Sequence, residues 1–410
     1  MKQLFLCTII SVITFGFCSD SSAQSYELRG SMRELIKVFS QSPNEVDLSE
    51  TRFKLEFLST LGENSAFKVK SYYINDGLNK KGTWDFQEAY IDYYSNFLDV
   101  RFGRQVIAWG KADEINPTDI LNPQNLTNIS EDKGIRKIGL MSLKTEWKYS
   151  DYILEGIWKP EFDNIKFPAM DSRWAFFTIP GLEELPKPEY PKNRIQDTEW
   201  AFKLSRTISL FDLSVSYFDG WDNIATQVLT FNPELQQMQL DKLKFFRTKM
   251  IGADFAGSIS SFGLWGEAAY FITENNDDLL VKNPYLQYVI GTDYTFDNGI
   301  LINLQYFQEV NKEKSDEEII SKLGFGIPLQ QAVSFRLEKS FGEIEEHSVE
   351  VFGIYDIKDN GIMFQPKLIL SPEDAFEIEF GVILYYGEEE SIFGQFEKND
   401  LVYLKGTYSF

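Results

Sequence analysis

The sequence predicts an all-β fold, a transmembrane antiparallel β-barrel, and three observations carry that expectation. Apolar and polar residues alternate with period two over arms of about ten residues along most of the chain. Tight turns alternate with long polar connections. An apolar leader stands at the front, and the last arm ends on an aromatic residue, Phe410. Composition narrows the function classes. Lys and Arg number 40 against 62 Asp and Glu, a formal net charge of −22, so the basic footprint that a nucleic-acid binder needs is missing. The two cysteines, Cys7 and Cys18, both fall in the leader. A chain starting after it has neither a disulfide scaffold nor a cysteine-based metal site. Aromatic residues make up 15% of this otherwise polar chain, as aromatic belts at two membrane interfaces require.

Taken in order, the leader comes first. Lys2 supplies a positive region and Leu4 to Phe17 an apolar run shorter than the ~20 residues of a spanning helix. Ser21 and Ala23 are small residues at the −3 and −1 positions of a cut before Gln24, which makes residues 1–23 a cleavable signal peptide and 24–410 a single barrel domain. Phe17 is too bulky for the residue preceding a lipidated Cys18. Beyond residue 24 no apolar run is long enough for a membrane helix.

The arms follow. Phe53, Leu55 and Phe57 oppose Arg52, Lys54 and Glu56; Trp200, Phe202 and Leu204 oppose Glu199, Lys203 and Ser205. Val333, Phe335 and Leu337 oppose Arg336 and Glu338, and Phe376, Ile378 and Phe380 oppose Glu377 and Glu379. One such strand also suits a soluble sandwich; the pattern repeated along the chain behind an export signal favours a barrel. Tight turns are expected at 62–64, 95–97, 150–151, 258–261 and 297–299, and long loops at 107–136, 161–196, 219–246, 274–283 and 309–318. Short periplasmic turns and long extracellular loops are the asymmetry of outer-membrane barrels. The five prolines between Pro168 and Pro191 exclude a central strand there. Nineteen arms are countable, and both chain ends on one side require an even number, so eighteen is expected and sixteen is the alternative. The direction of travel is ambiguous between residues 318 and 357, where turns and loops have similar lengths.

A barrel of this size has a lumen too wide for its own side chains to fill. Register places Arg52, Lys54, Lys68, Lys70, Lys203 and Arg336 inside with Glu56, Glu199, Glu338, Glu377 and Glu379. The two signs nearly balance, which suits hydrated solutes. The acidic runs Asn275–Asp278 and Ser315–Glu318 read as solvated loops. No cofactor and no metal site is expected.

The segment Gly103 to Asn125, GRQVIAWGKADEINPTDILNPQN, is the most distinctive. Gly103 permits close backbone approach, and Arg104 and Gln105 end a strand. Trp109, followed by Gly110, suits an anchor for an inward-folded loop. Pro117 and Pro123, each after an asparagine (Asn116, Asn122), stiffen the loop. Asp113, Asp119 and Asn122 are candidates to pair with Arg104 and Arg136 and hold the loop across the lumen as a constriction; equally, these residues serve only to fold the loop. The segment resembles porin-type proteins, the alginate-export type channel and related Gram-negative outer-membrane families among them, and the stretch FGQFEKNDLVYLKGTYSF from Phe393 is similar to their last loop and strand. The resemblance implies an eighteen-stranded channel for small or extended polar solutes. A dedicated polyanion exporter needs an inner Lys/Arg excess, and the balanced lining departs from that.

The last arm, with Val402, Leu404, Gly406, Tyr408 and Phe410 on one face, resembles the C-terminal signal read by the outer-membrane barrel-assembly machinery, with Tyr408 and Phe410 as its aromatic residues. The expected partners are that machinery, outer-membrane lipid and lipopolysaccharide, and a hydrophilic solute. Two readings from other classes stand beside the channel: an adhesive or structural barrel whose loops bind a partner, and an outer-membrane hydrolase. The hydrolase has one histidine to draw on, His347, expected in an exposed turn.

Overall fold

The computed structural model describes residues 25–41, 46–76, 81–127, 136–175, 186–192, 194–232, 236–274, 281, 284–311, 329–389 and 391–410. The leader with its cut site and the acidic runs at 275–278 and 315–318 lie outside them. Within the described residues the chain forms β1 (Tyr26–Phe39), β2 (Val46–Thr60), β3 (Ser65–Asp76), β4 (Lys81–Tyr93), β5 (Leu98–Gln105), β6 (Leu140–Tyr149), β7 (Tyr152–Lys159), β8 (Glu199–Ile208) and β9 (Phe211–Trp221). Then come β10 (Thr226–Asn232), β11 (Gln237–Lys244), β12 (Arg247–Ile259), β13 (Phe262–Thr273), β14 (Tyr285–Thr295), β15 (Ile300–Asn311), β16 (Gln331–Phe341), β17 (His347–Asp356), β18 (Gly361–Glu373), β19 (Phe376–Tyr386) and β20 (Leu401–Ser409).

Eighteen of these strands form one antiparallel sheet in which each pairs with its neighbours in the ring, and β1 pairs with β20. The sheet is therefore a closed barrel, and closure leaves no free edge in lipid. The other two, β10 and β11, pair only with each other. They are a hairpin inside the connection read from sequence as the plain loop 219–246. Alternation alone cannot separate a loop hairpin from a wall hairpin, since both have period two.

All eight tight turns lie at one end, with the start of β1 and the chain terminus beside them. Gly30 and Phe410 exchange both backbone hydrogen bonds there, at 2.8 and 2.9 Å. The nine remaining connections lie at the other end. One of them, 357–360, is as short as a tight turn, which is why loop length failed to give the direction of travel in that region.

Alternation sorts the side chains by face. Leu28, Met32, Ile36 and Val38 on β1, Trp200, Phe202 and Leu204 on β8, and Phe380 and Leu384 on β19 all point outward and are exposed. The intervening residues point inward. Exposed apolar side chains continuous round a sheet are unstable in water and fit a bilayer. Tyr93, Tyr94, Phe97, Trp147, Tyr149, Tyr152, Phe262, Phe296 and Phe341 gather at the tight-turn end, where amphipathic rings suit the lipid–water boundary.

Candidate functional site: the lumen and its crossing loop

The connection after β5 does not project outward. The loop starts with buried Ile107 and Trp109, and with Leu121 these pack on Ile157 (β7), Ala201 (β8), Phe218 (β9), Met250 (β12), and Ala269 and Phe271 (β13). An apolar core thus fills one side of the lumen. The Trp109 indole N–H donates to Glu155, and the Lys203 ammonium sits 6.0 Å from the ring centroid. From there the loop crosses to the far wall. Glu267 on β13 accepts from the backbone N–H groups of Lys111, Ala112 and Thr118 and from the Thr118 hydroxyl, the last at 2.8 Å. Gln305 on β15 accepts from the Asp113 N–H at 3.0 Å and donates to the Ile115 carbonyl at 3.2 Å. Arg336 on β16 reaches Asp113 at 3.2 Å and Glu114 at 3.1 Å. Leaving out the hairpin, β16 is fourteenth in the ring (16 − 2) and β5 fifth, nine places apart among eighteen strands. The loop tip therefore docks on the wall opposite its root.

The motif residues hold this path. Gly103 has φ of 134° and a Cβ there would lie 2.4 Å from the Ala89 carbonyl oxygen, so only glycine fits against β4. Gly110 has φ of 83° and a Cβ would meet Asn116 and Glu267 at 2.2 and 2.4 Å. Gln105 is buried and donates to the Ser142 carbonyl. Asn116 donates to the Trp109 carbonyl at 3.0 Å. Asn122 accepts from the Ile107 N–H at 2.8 Å and donates to the Ile138 carbonyl at 2.7 Å, joining the two ends of the loop. Pro117 and Pro123 are buried, and the Pro123 carbonyl accepts from Ile138.

The expected pairing of the acidic residues with Arg104 is corrected by register. Gly103 and Gln105 face inward, so Arg104 faces outward and donates to the Phe86 carbonyl at 2.8 Å. Asp113 pairs instead with Arg336, and Asp119 with Lys137. Arg136 lies at the edge of the open side of the lumen.

The other lumen candidates lie on the inner face in charged ladders. Arg52 bridges to Glu50 at 2.9 Å, Lys68 to Glu56 and Glu88 at 3.2 and 3.1 Å, Lys203 to Asp254 at 3.2 Å, and Glu199 to Lys159 at 2.7 Å. Lys54 lies 3.6 Å from Glu56, and Lys70 lies 5.5 Å from the Tyr72 ring centroid. Glu379 pairs with Lys405 at 2.5 Å. Glu338 and Glu377 occupy inward positions opposite Glu350 and Thr407. His347 is not in a turn. It opens β17, is half-buried, and its Nδ1 accepts from the Ser371 N–H at 3.1 Å.

A second loop also enters, which the sequence did not signal. Trp174, after β7, packs against Phe39, Tyr385 and Phe396, and Arg173 lies 3.7 Å from the Phe39 ring centroid. The connection 387–400 folds beneath it, with the Tyr385 N–H donating to Asp400 at 2.7 Å. Burial pushes the Asp400 carboxyl above its usual range, against the lowering effect of that bond. Space remains on one side of the lumen, bounded by β1, β16 to β20 and the loop tip, in a cavity of about 340 Å³.

Among solved structures the barrel is similar to Pseudomonas aeruginosa OccK11 (OpdR), with a TM-score of 0.53 at 10% identity, covering 94% of this chain and 96% of that one. The chain has the fold of an outer-membrane porin. Further similar porin structures are an engineered Rhodopseudomonas blastica porin, at TM-score 0.45 and 13% identity over 94% of this chain and all of that one, and Salmonella typhi OmpF in complex with daunomycin, at 0.45 and 10% over 94% and 97%. No family model and no curated protein matches the chain, so the alginate-export likeness rests on the two quoted stretches alone. A barrel of eighteen strands has a lumen wider than its own side chains fill, and in this chain the inward ladders and the crossing loop occupy it.

Proposed function

We propose that this protein is an outer-membrane channel for passive passage of small or extended hydrophilic solutes. The observation that carries this reading is the charged inner wall beside a loop that crosses the lumen and leaves one side open. In this reading residues 1–23 export the chain, lipid and lipopolysaccharide surround it, and the assembly machinery recognises its last strand. Reconstitution in planar bilayers tests it: discrete, ohmic current steps are expected. A protein that inserts and folds yet passes no current is instead an adhesive or structural barrel. Lipase and protease assays on the same preparation address the hydrolase.

Two expected results follow from this reading. The mature chain begins at Gln24, as intact mass of membrane-extracted protein will report; a lipid-bearing start at Cys18 is the contrary outcome. Replacing both Asp113 and Asp119 by Asn shifts ion selectivity toward anions, read as the reversal potential in a salt gradient. Removing negative charge from a narrow aqueous passage weakens its preference for cations, and the shift shrinks at high salt as the Debye length falls to about 3 Å at 1 M. An unchanged reversal potential places both carboxylates outside the conduction path.

A further inference from the structure

The open side of the lumen lies against β18, and β18 differs from the rest of the wall. Among the described strands it alone contains proline, Pro366 in its middle and Pro372 near the tight turn. Its ladder with β17 runs unbroken past Gln365 and Pro366, which lie opposite Phe352 and Val351. Its ladder with β19 passes from Phe364–Leu384 directly to Lys367–Gly381 without a change of register. The opposed pairs Gln365–Ile383 and Pro366–Val382 drop out. Proline has no N–H, so a ladder hydrogen bond toward β19 is missing there, and the bilayer interior holds no water to replace it. By alternation Gln365 and Ile383 face the cavity, and Pro366 and Val382 face lipid. The Gln365 amide donates to the Tyr403 hydroxyl on β20 at 3.1 Å, a strap across β19 from the inside. The wall is thus least secured where it divides the cavity from the membrane.

The cavity suits an uncharged guest. Toward the loop end its lining is apolar, with Phe352, Ile354, Ile383, Tyr385, Phe393 and Phe396 under Trp174. Its charged residues are already matched. Arg33 pairs with Glu50 at 2.8 Å, Lys367 with Glu350 at 3.1 Å, Lys405 with Glu379 at 2.5 Å, and Arg336 with Asp113 and Glu114 at 3.2 and 3.1 Å. Lys37 and Arg136, toward the loop end, are engaged as well. An ion of either sign must part such a pair to be held, leaving a charge without its partner. An apolar body only displaces water from the rings. We infer that this cavity binds small uncharged apolar molecules that reach it from the bilayer through the β18–β19 seam. The inference goes beyond the channel reading and does not need conduction. Apolar molecules concentrate in lipid, beside the seam, while Trp174 and Phe396 cover the cavity toward the loop end. At about 30 Å³ for each water-sized unit, a cavity of about 340 Å³ takes on the order of ten non-hydrogen atoms.

The test uses adamantyl diazirine, an uncharged apolar photolabel whose cage is of that size, dissolved in phosphatidylcholine vesicles that hold the folded protein. Mass spectrometry then locates the label. Lipid-facing Phe202 and Leu204 are labelled whatever the cavity does and serve as the reference. Inward Phe352 and Tyr385 are expected to be labelled too. Adamantanol should protect those two at a concentration about tenfold lower than adamantanecarboxylate or adamantylammonium, equivalent to about 1.4 kcal/mol. Pro366→Val supplies the missing donor and should lower inner labelling severalfold against the reference. Phe364→Cys with Leu384→Cys locks the seam, because opposed residues of an antiparallel pair lie within disulfide reach and the wall contains no other cysteine. The oxidised lock should lower inner labelling severalfold, and dithiothreitol should restore it in the same vesicles, which separates closure from misfolding. Absence of label on Phe352 and Tyr385 overturns the inference, as does protection by either ion equal to that by adamantanol. Inner labelling that the oxidised lock leaves unchanged also overturns it, since the probe then enters from water. Bilayer current is measured separately, so each of these outcomes leaves the channel reading where its own test puts it.

Discussion

Glu267→Ala is expected to raise single-channel conductance severalfold and to make the open current noisy. One carboxylate holds the crossing loop at four points, three backbone N–H groups and the Thr118 hydroxyl. Hydrogen bonds to a charged group contribute about 1.5–3 kcal/mol each, so four of them on one residue are a larger attachment than the two ion pairs of Arg336 or the two neutral bonds of Gln305 at the tip. Alanine also leaves the three N–H groups without a partner in the lumen, where water becomes their best alternative. The loop then swings away from β13, and the passage widens. Glu267→Gln keeps one acceptor oxygen and should fall between wild type and alanine. Excising residues 111–117 joins Gly110 to Thr118, both of which lie beside Glu267, and removes the tip outright. It should give the largest and quietest increase. If all three variants conduct as wild type does, the loop does not limit the current, and its crossing is structural.

Replacing Phe410 by Ser should lower folded, heat-modifiable barrel in outer-membrane fractions severalfold while barely changing the resistance of the assembled fraction to urea. The two effects separate because the seam does not need the ring. The Gly30 and Phe410 backbone bonds survive the substitution, and the ring, exposed on the outer face, adds little cohesion to a finished barrel. What is lost is the terminal aromatic that, with Tyr408, resembles an assembly signal, and the yield tests that role. Equal falls in yield and in urea resistance mean that Phe410 acts through stability alone. An unchanged yield removes the signal reading.

Much of the barrel was legible because its physics is local. Alternation at Phe53 to Glu56 or at Phe376 to Glu379 fixes which face meets lipid, and tight turns such as Ser150-Asp151 fix where the chain reverses. The crossing loop was legible in outline, since prolines and asparagines after a Gly103 strand end announce a stiff connection. Its partners were not. Arg104 was one residue out of phase, because a single step along a strand reverses the face. The latch residue Glu267 had a detectable mark, a lone carboxylate in FGLWGEAAYF among small and aromatic residues. Nothing local says, however, that it lies across from Lys111 rather than beside another strand. Trp174 was hidden for the same reason: an aromatic residue in a proline-rich loop reads as surface until the fold brings Phe39 and Tyr385 to it.

The pairing of β1 with β20 has a consequence for how the chain is made. Arg33 lies opposite both Arg52 and Thr407, neighbours separated from it by 19 and 374 residues (52 − 33 and 407 − 33). Closing the longer span costs only about 2.6 kcal/mol more than the shorter, because loop entropy grows with the logarithm of length. A few register positions offset that. The difficulty is one of timing. Until β20 has been made, β1 presents an unsatisfied edge to any strand that passes, its own or another copy's. The first strand to emerge is thus among the last to find its permanent neighbour, and the nascent chain needs custody for the whole of that interval.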